Sequence, residues 1–207
     1  MTRVKICGVN DAAGFDTVVA ERADWLAFNF FPASPRVVTP AQAAALSARQ
    51  PGGPERVGLF VEPTDDDIAA VLAAVRLDVL QVHASDARVG ALRARFGLPV
   101  WRAVGIATRD DLPETAGAAD ALLIEAKPPP GATRPGGNAR RFDWSVLAGW
   151  HAPSPWLLAG GLTPENVADA IGLTGAPAVD VSSGVESAPG VKDPDRIRAF
   201  IRAARGA

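Results

Sequence analysis

The feature that most constrains this chain is a rhythm of eight short apolar runs, each followed by a longer segment of helical character. The runs are Val4–Cys7, Trp25–Phe30, Val57–Val61, Val79–His83, Val100–Val104, Ala121–Glu125, Trp156–Ala159 and Val179–Ser182. Between them lie alanine-rich stretches such as Pro40–Arg49, Asp65–Val75 and Arg88–Phe96, whose apolar residues recur three and four apart. Thr39-Pro40, Thr64 before Asp65, Thr163-Pro164 and Asp193-Pro194 mark helix starts, three of them with proline at the first helical position. Strand–helix units of roughly 25 residues without a break in composition describe a single-domain (β/α)8 barrel over 1–207. A doubly wound open sheet is the alternative. It usually has fewer strands, and the Gly-x-Gly-x-x-Gly turn after the first strand is absent here.

One segment breaks the rhythm. Lys127 to Arg141 carries Pro128-Pro129-Pro130, Gly131, Pro135 and Gly136-Gly137, which no regular helix or strand accommodates. It follows Glu125 at the end of strand six and reads as a lid over the active face. Bulk properties narrow the function classes. A net charge of −2 argues against nucleic acid. No apolar stretch approaches the roughly 18 residues of a membrane helix. One cysteine and no targeting segment lead us to expect a cytoplasmic protein. Two histidines, His83 and His151, are too few for a histidine-rich metal site, and neither a metal nor a cofactor is expected.

In a barrel the carboxyl ends of the strands supply the reactive groups. Strand phasing puts Arg3, Lys5 and Cys7 on one face and Val4 and Ile6 on the other. Cys7 is then either a buried small hydrophobe or a positioned acid/base or nucleophile. The same phasing turns His83, Arg102, Glu125 and Ser182 inward. Lys5 is expected to form a buried, mainly structural pair with Asp180 on the strand that closes against the first. Ala159-Gly160-Gly161-Leu162 and Ser182-Ser183-Gly184-Val185 follow strands seven and eight, the usual phosphate site of such barrels. Cys7 and Glu125 stand on separate sides of the mouth, so a substrate lying across it would have a base on one side and an acid on the other, which suits an isomerisation.

Seven motifs carry a resemblance. They are Lys5-Ile6-Cys7-Gly8, Phe31-Pro32-Ala33-Ser34-Pro35-Arg36, Val57-Gly58-Leu59-Phe60-Val61, Gln81-Val82-His83, Phe142-Asp143-Trp144, Leu158-Ala159-Gly160-Gly161-Leu162-Thr163-Pro164-Glu165-Asn166 and Asp180-Val181-Ser182-Ser183-Gly184-Val185-Glu186. With Gly190-Val191-Lys192-Asp193 they span the chain in order, and together they resemble the phosphoribosylanthranilate isomerase family. The resemblance implies an Amadori rearrangement in tryptophan biosynthesis, from N-(5-phosphoribosyl)anthranilate to 1-(2-carboxyphenylamino)-1-deoxyribulose 5-phosphate. It implies Cys7 as base, Arg36 on the anthranilate carboxylate, and Gly160, Gly161, Ser183 and Gly184 on the phosphate. His83, Gly137 and Asn138 would line the substrate site, and His151 would be merely exposed.

The chain departs from the family pattern in three places. Glu125 stands where aspartate is usual. Asn138-Ala139-Arg140 replaces Thr-Gly-Lys after the loop's paired glycines, and Ala84 replaces a glycine after His83. These departures keep two alternatives in play: a related aminoaldose phosphate as substrate, or a non-catalytic binder of a phosphate ligand. A phosphoribosyl small molecule is the expected partner, and monomer and homodimer both remain open.

Overall fold

The computed structural model describes residues 1–129, 131, 136 and 141–207. Eight parallel strands close into a barrel in sequence order. They are β1 (Arg3–Cys7), β2 (Trp25–Asn29), β3 (Glu55–Val61), β4 (Val79–His83), β5 (Val100–Ile106), β6 (Ala121–Ala126), β7 (Trp156–Leu158) and β8 (Ala178–Val181). Closure pairs β1 with β8, with Lys5 beside Asp180 in register. The helices are α1 (Ala12–Ala20), α2 (Pro40–Ser47), α3 (Asp65–Ala74), α4 (Asp86–Phe96), α5 (Val167–Thr174) and α6 (Pro194–Gly206). After β5 and β6 the described crossovers hold 3-10 turns, Arg109–Asp111 and Trp144–Leu147, where a full set of eight units would place α-helices.

Three of the four expected helix starts stand as read. Thr39 and Gln42 exchange hydrogen bonds in a capping box before Pro40, and Thr64 and Asp67 do the same. Asp193 accepts from the backbone N–H groups of Asp195 and Arg196. Thr163-Pro164 does not open its helix. The Asn166 side chain accepts from the Thr163 N–H and donates to the Gly161 carbonyl, which makes a turn and delays α5 to Val167.

Strand alternation splits the apolar residues into two clusters. Val4, Ile6, Leu26, Phe28, Leu80, Val82 and their outward neighbours pack under the helices. Cys7, Trp25, Ala27, Leu59, Val79, Trp101 and Leu123 fill the barrel. Trp25 and Trp101, near the amino ends of β2 and β5, meet edge to face at 5.1 Å and close the floor. Burying one such large side chain contributes about 1.5–3 kcal/mol. Above this floor the interior turns polar.

Arg102 is a correction. Trp101 faces the interior, so Arg102 must face out, and its guanidinium meets Asp86 at 3.3 Å on the helical side.

Candidate active site

At the carboxyl end of the barrel, one cleft brings together Cys7, Arg36, His83 and Glu125 with Gly160, Gly161 and Ser183. Seven of the residues singled out from sequence therefore share a cavity. Gly184 lies directly behind it, where a Cβ would overlap the Leu162 carbonyl oxygen, so only glycine lets the loops after β7 and β8 meet this closely. Gly160 and Gly161 both take positive φ, +85° and +68°. Such successive left-handed glycines leave peptide groups unshielded, as anion sites require. Gly137 and Asn138 lie outside the described residues, as does most of the Lys127–Arg141 segment. Its Gly136 reaches the cleft, where a Cβ would stand 2.6 Å from one Glu125 carboxyl oxygen. His151 is exposed.

On the β1 side, Cys7 sits among charges. Lys5, fully buried, donates from Nζ to Asp180 Oδ1 at 2.7 Å, so the expected pair is present. Burial works against the Lys5 ammonium, but Asp180 and Cys7 outweigh it and hold its pKa above the ordinary value. Burial likewise pushes the Cys7 thiol up, and Asp180 adds to this. Lys5, Lys192 and Arg36 oppose the rise without cancelling it, so the thiol stays above its ordinary value. The Ser182 hydroxyl donates to the Cys7 carbonyl at 3.1 Å and ties β8 to the end of β1.

On the β4–β6 side the environment is different. Burial raises the Glu125 carboxyl to about 8, with Asp180 adding and Lys5 opposing. Burial, helped by Lys5, lowers His83 to about 4. Glu125 Oε1 and His83 Nδ1 are 3.5 Å apart. With these pKa values neither group is charged near pH 7, so the contact is a neutral one rather than an ion pair. A protonated carboxyl inside a cleft is a proton donor in waiting.

Four participants lie in the motifs quoted above but have no role in the sequence reading. Gln81 is buried in the cleft wall, and among the described residues its Oε1 has no hydrogen-bond partner. Its phase, two residues before His83, was the available signal. Ser34 lines the cleft and accepts the Arg36 backbone N–H. Glu186 and Lys192 are both buried, and Glu186 grips Arg36. Among the described residues no group of three or more His, Cys, Asp or Glu could hold a metal ion, and no helix is long and apolar enough to cross a membrane.

Comparison with known proteins agrees with this geometry. The family model described as N-(5'phosphoribosyl)anthranilate (PRA) isomerase matches residues 4–203. An N-(5'-phosphoribosyl)anthranilate isomerase of Paracoccus denitrificans is 59% identical over 203 residues, covering 96% of this chain and 94% of that one. The crystal structure of the Thermotoga maritima phosphoribosyl anthranilate isomerase is similar at 34% identity with a TM-score of 0.85, covering 100% of both chains. A phosphoribosyl anthranilate isomerase in complex with reduced 1-(o-carboxyphenylamino)-1-deoxyribulose 5-phosphate matches at 33% identity and TM-score 0.84, again over 100% of both chains.

Proposed function

The chain belongs to the N-(5'-phosphoribosyl)anthranilate isomerase family and catalyses the family's isomerisation in tryptophan biosynthesis, and on that premise we propose that Cys7 is its base and Glu125 its acid. The observation that carries this reading is the pairing, in one cleft, of a thiol on which Lys5, Lys192 and Arg36 act in favour of the thiolate with a carboxyl that burial raises to about 8.

The protonated Glu125 gives its proton to the furanose ring oxygen of N-(5-phosphoribosyl)anthranilate. The C1′–O bond breaks and a Schiff base forms with the anthranilate nitrogen. Cys7, as thiolate, removes the C2′ proton, and the electron pair moves into the C1′–nitrogen unit to give an enolamine. Tautomerisation of the enolamine yields the ketone product. One proton enters and one leaves, so the reaction needs no net proton. Arg36 takes the anthranilate carboxylate, for which a planar fork of N–H donors is suited. Gly160, Gly161, Ser183 and Gly184 hold the phosphate. With both ends of the substrate anchored, the sugar carbons lie between base and acid.

The extra methylene of Glu125 relative to aspartate lengthens the acid by roughly 1 Å, a displacement that can cost about a hundredfold in rate. Here the carboxyl lies beside His83 and close to Gly136, where no side chain could fit, so the longer acid has room in the cleft. The test is rescue of an isomerase-deficient tryptophan auxotroph, paired with binding of the reduced product analogue. Growth supports the isomerase reading; tight binding of the analogue with no growth and no turnover overturns it in favour of a non-catalytic binder.

A further inference from the structure

Arg36 is not a free side chain reaching for an anion. Its Nε and one terminal nitrogen donate to the two carboxylate oxygens of Glu186, at 2.7 and 2.9 Å. Its stem lies on Gly8, where a Cβ would stand 2.8 Å from Arg36 Cδ, so the glycine after Cys7 makes room for it. Glu186 also accepts from Lys192 Nζ at 2.7 Å and from the Gly190 N–H at 3.1 Å. Lys192 continues to the Ser182 carbonyl at 3.0 Å. Arg36, Glu186 and Lys192 are all buried, at 5%, 8% and 4% exposure.

Two consequences follow from elementary chemistry. A guanidinium presents five N–H donors in a rigid fork. Glu186 occupies the edge that includes Nε, which leaves the edge formed by the two terminal nitrogens. That edge also offers two parallel donors, the geometry a second carboxylate needs. The charge balance also matters. Arg36 with Glu186 alone would be neutral and would attract no anion. Lys192 restores one positive charge to the cluster, and a bound carboxylate makes it neutral.

We infer that Glu186 and Lys192 are positioning residues for the substrate's aryl carboxylate: Glu186 selects the edge of Arg36 that faces the cleft, and Lys192 restores the positive charge that Glu186 cancels. This rests on the reading that Arg36 takes that carboxylate. It also gives the Gly190-Val191-Lys192 segment a purpose, since the hairpin of β9 (Glu186–Ala188) and β10 (Val191–Lys192) brings Lys192 and the Gly190 N–H back onto Glu186. A locked arginine loses little side-chain freedom when substrate arrives.

The test compares two probes, the reduced product analogue and its aniline counterpart lacking the carboxylate. Glu186→Gln keeps the shape but places an NH2 group against donors, so one edge of Arg36 is released. We expect it to raise KM for the substrate about tenfold or more with kcat within a few-fold. It should also narrow the preference for the carboxylated probe by a similar factor, and Lys192→Met should narrow it too. Equal weakening of both probes, or a fall in kcat at unchanged KM, overturns the inference. Arg36→Met separates the two levels. If that variant keeps the preference, the carboxylate reading of Arg36 itself fails; if it abolishes the preference while Glu186→Gln and Lys192→Met preserve it, only the inference about Glu186 and Lys192 fails. Glu186→Asp retains the charge and should restore part of the preference, which also decides the matter should Glu186→Gln fold poorly.

Discussion

The two sides of the barrel mouth solve opposite electrostatic problems. Around β1 and β8, buried Lys5, Arg36 and Lys192 face buried Asp180 and Glu186, one carboxylate short of balance. Around β4 and β6, buried Glu125 and largely buried His83 form no ion pair, and each is pushed toward its neutral form. Burial raises the pKa of both acids, Cys7 and Glu125; Lys5 opposes the rise at each, and at the thiol Lys192 and Arg36 oppose it too without cancelling it. The lesson is that a low-dielectric pocket makes a proton donor by default, and a thiol in it loses its proton only against burial, a loss that neighbouring positive charge favours.

The strongest way to break this comparison is to remove each actor. Cys7→Ser and Glu125→Gln should each lower kcat by about 10²- to 10⁴-fold while still binding the reduced product analogue. Steady-state turnover alongside calorimetric binding checks this, and substantial turnover in either variant removes its residue from the mechanism. Next, Lys5→Met strands the Asp180 carboxylate and should destabilise the fold by about 3–5 kcal/mol. The Lys5→Met/Asp180→Asn double variant should regain much of that loss in urea denaturation; additive losses would mean the pair is not coupled.

The β4–β6 side makes a prediction in pH. The Glu125 carboxyl titrates at 4.5 as its reference value and at about 8 when folded. Between these values the unfolded chain has lost the proton that the folded chain keeps, so wild-type stability falls as pH rises through that window. Glu125→Gln cannot ionise. Its stability relative to wild type should therefore climb from pH 5 to pH 8, by several kcal/mol at most, as read from melting curves across that range. A flat difference would show that Glu125 ionises normally. The smallest effect is assigned to Arg102→Ala. That outward, partly exposed pair with Asp86 should be worth about 1 kcal/mol or less, with turnover unchanged. A large loss of activity would return Arg102 to the site.

The strands were legible because a parallel barrel buries both faces of each strand, so each reads as a short continuous apolar run, as in Leu26-Ala27-Phe28 or Leu122-Leu123-Ile124. The phasing failed at β5, where Arg102 was taken as the informative residue although its neighbour Trp101 was the one with a barrel interior to fill. The Lys5–Asp180 pair could be read because both lie in the same phase on strands that closure must bring together. Glu186 could not, since its partner Arg36 sits 150 residues away on a loop, where no periodicity specifies direction. The crossovers after β5 and β6 were counted as helices because eight strands imply eight connections, yet a parallel crossover needs only enough chain to return.

Lys5 and Asp180 are 175 residues apart, at the two ends of the barrel's sequence order. On a ribosome adding about 5–20 residues per second, Lys5 waits on the order of ten seconds for its partner. Until β8 arrives, β1 is an open edge, and edges of that kind invite pairing with other chains. A lysine on the inward face of such an edge keeps it hydrated and discourages strand addition. The ion pair is thus also a latch: the charge that protects the nascent seam is neutralised by the strand that closes it.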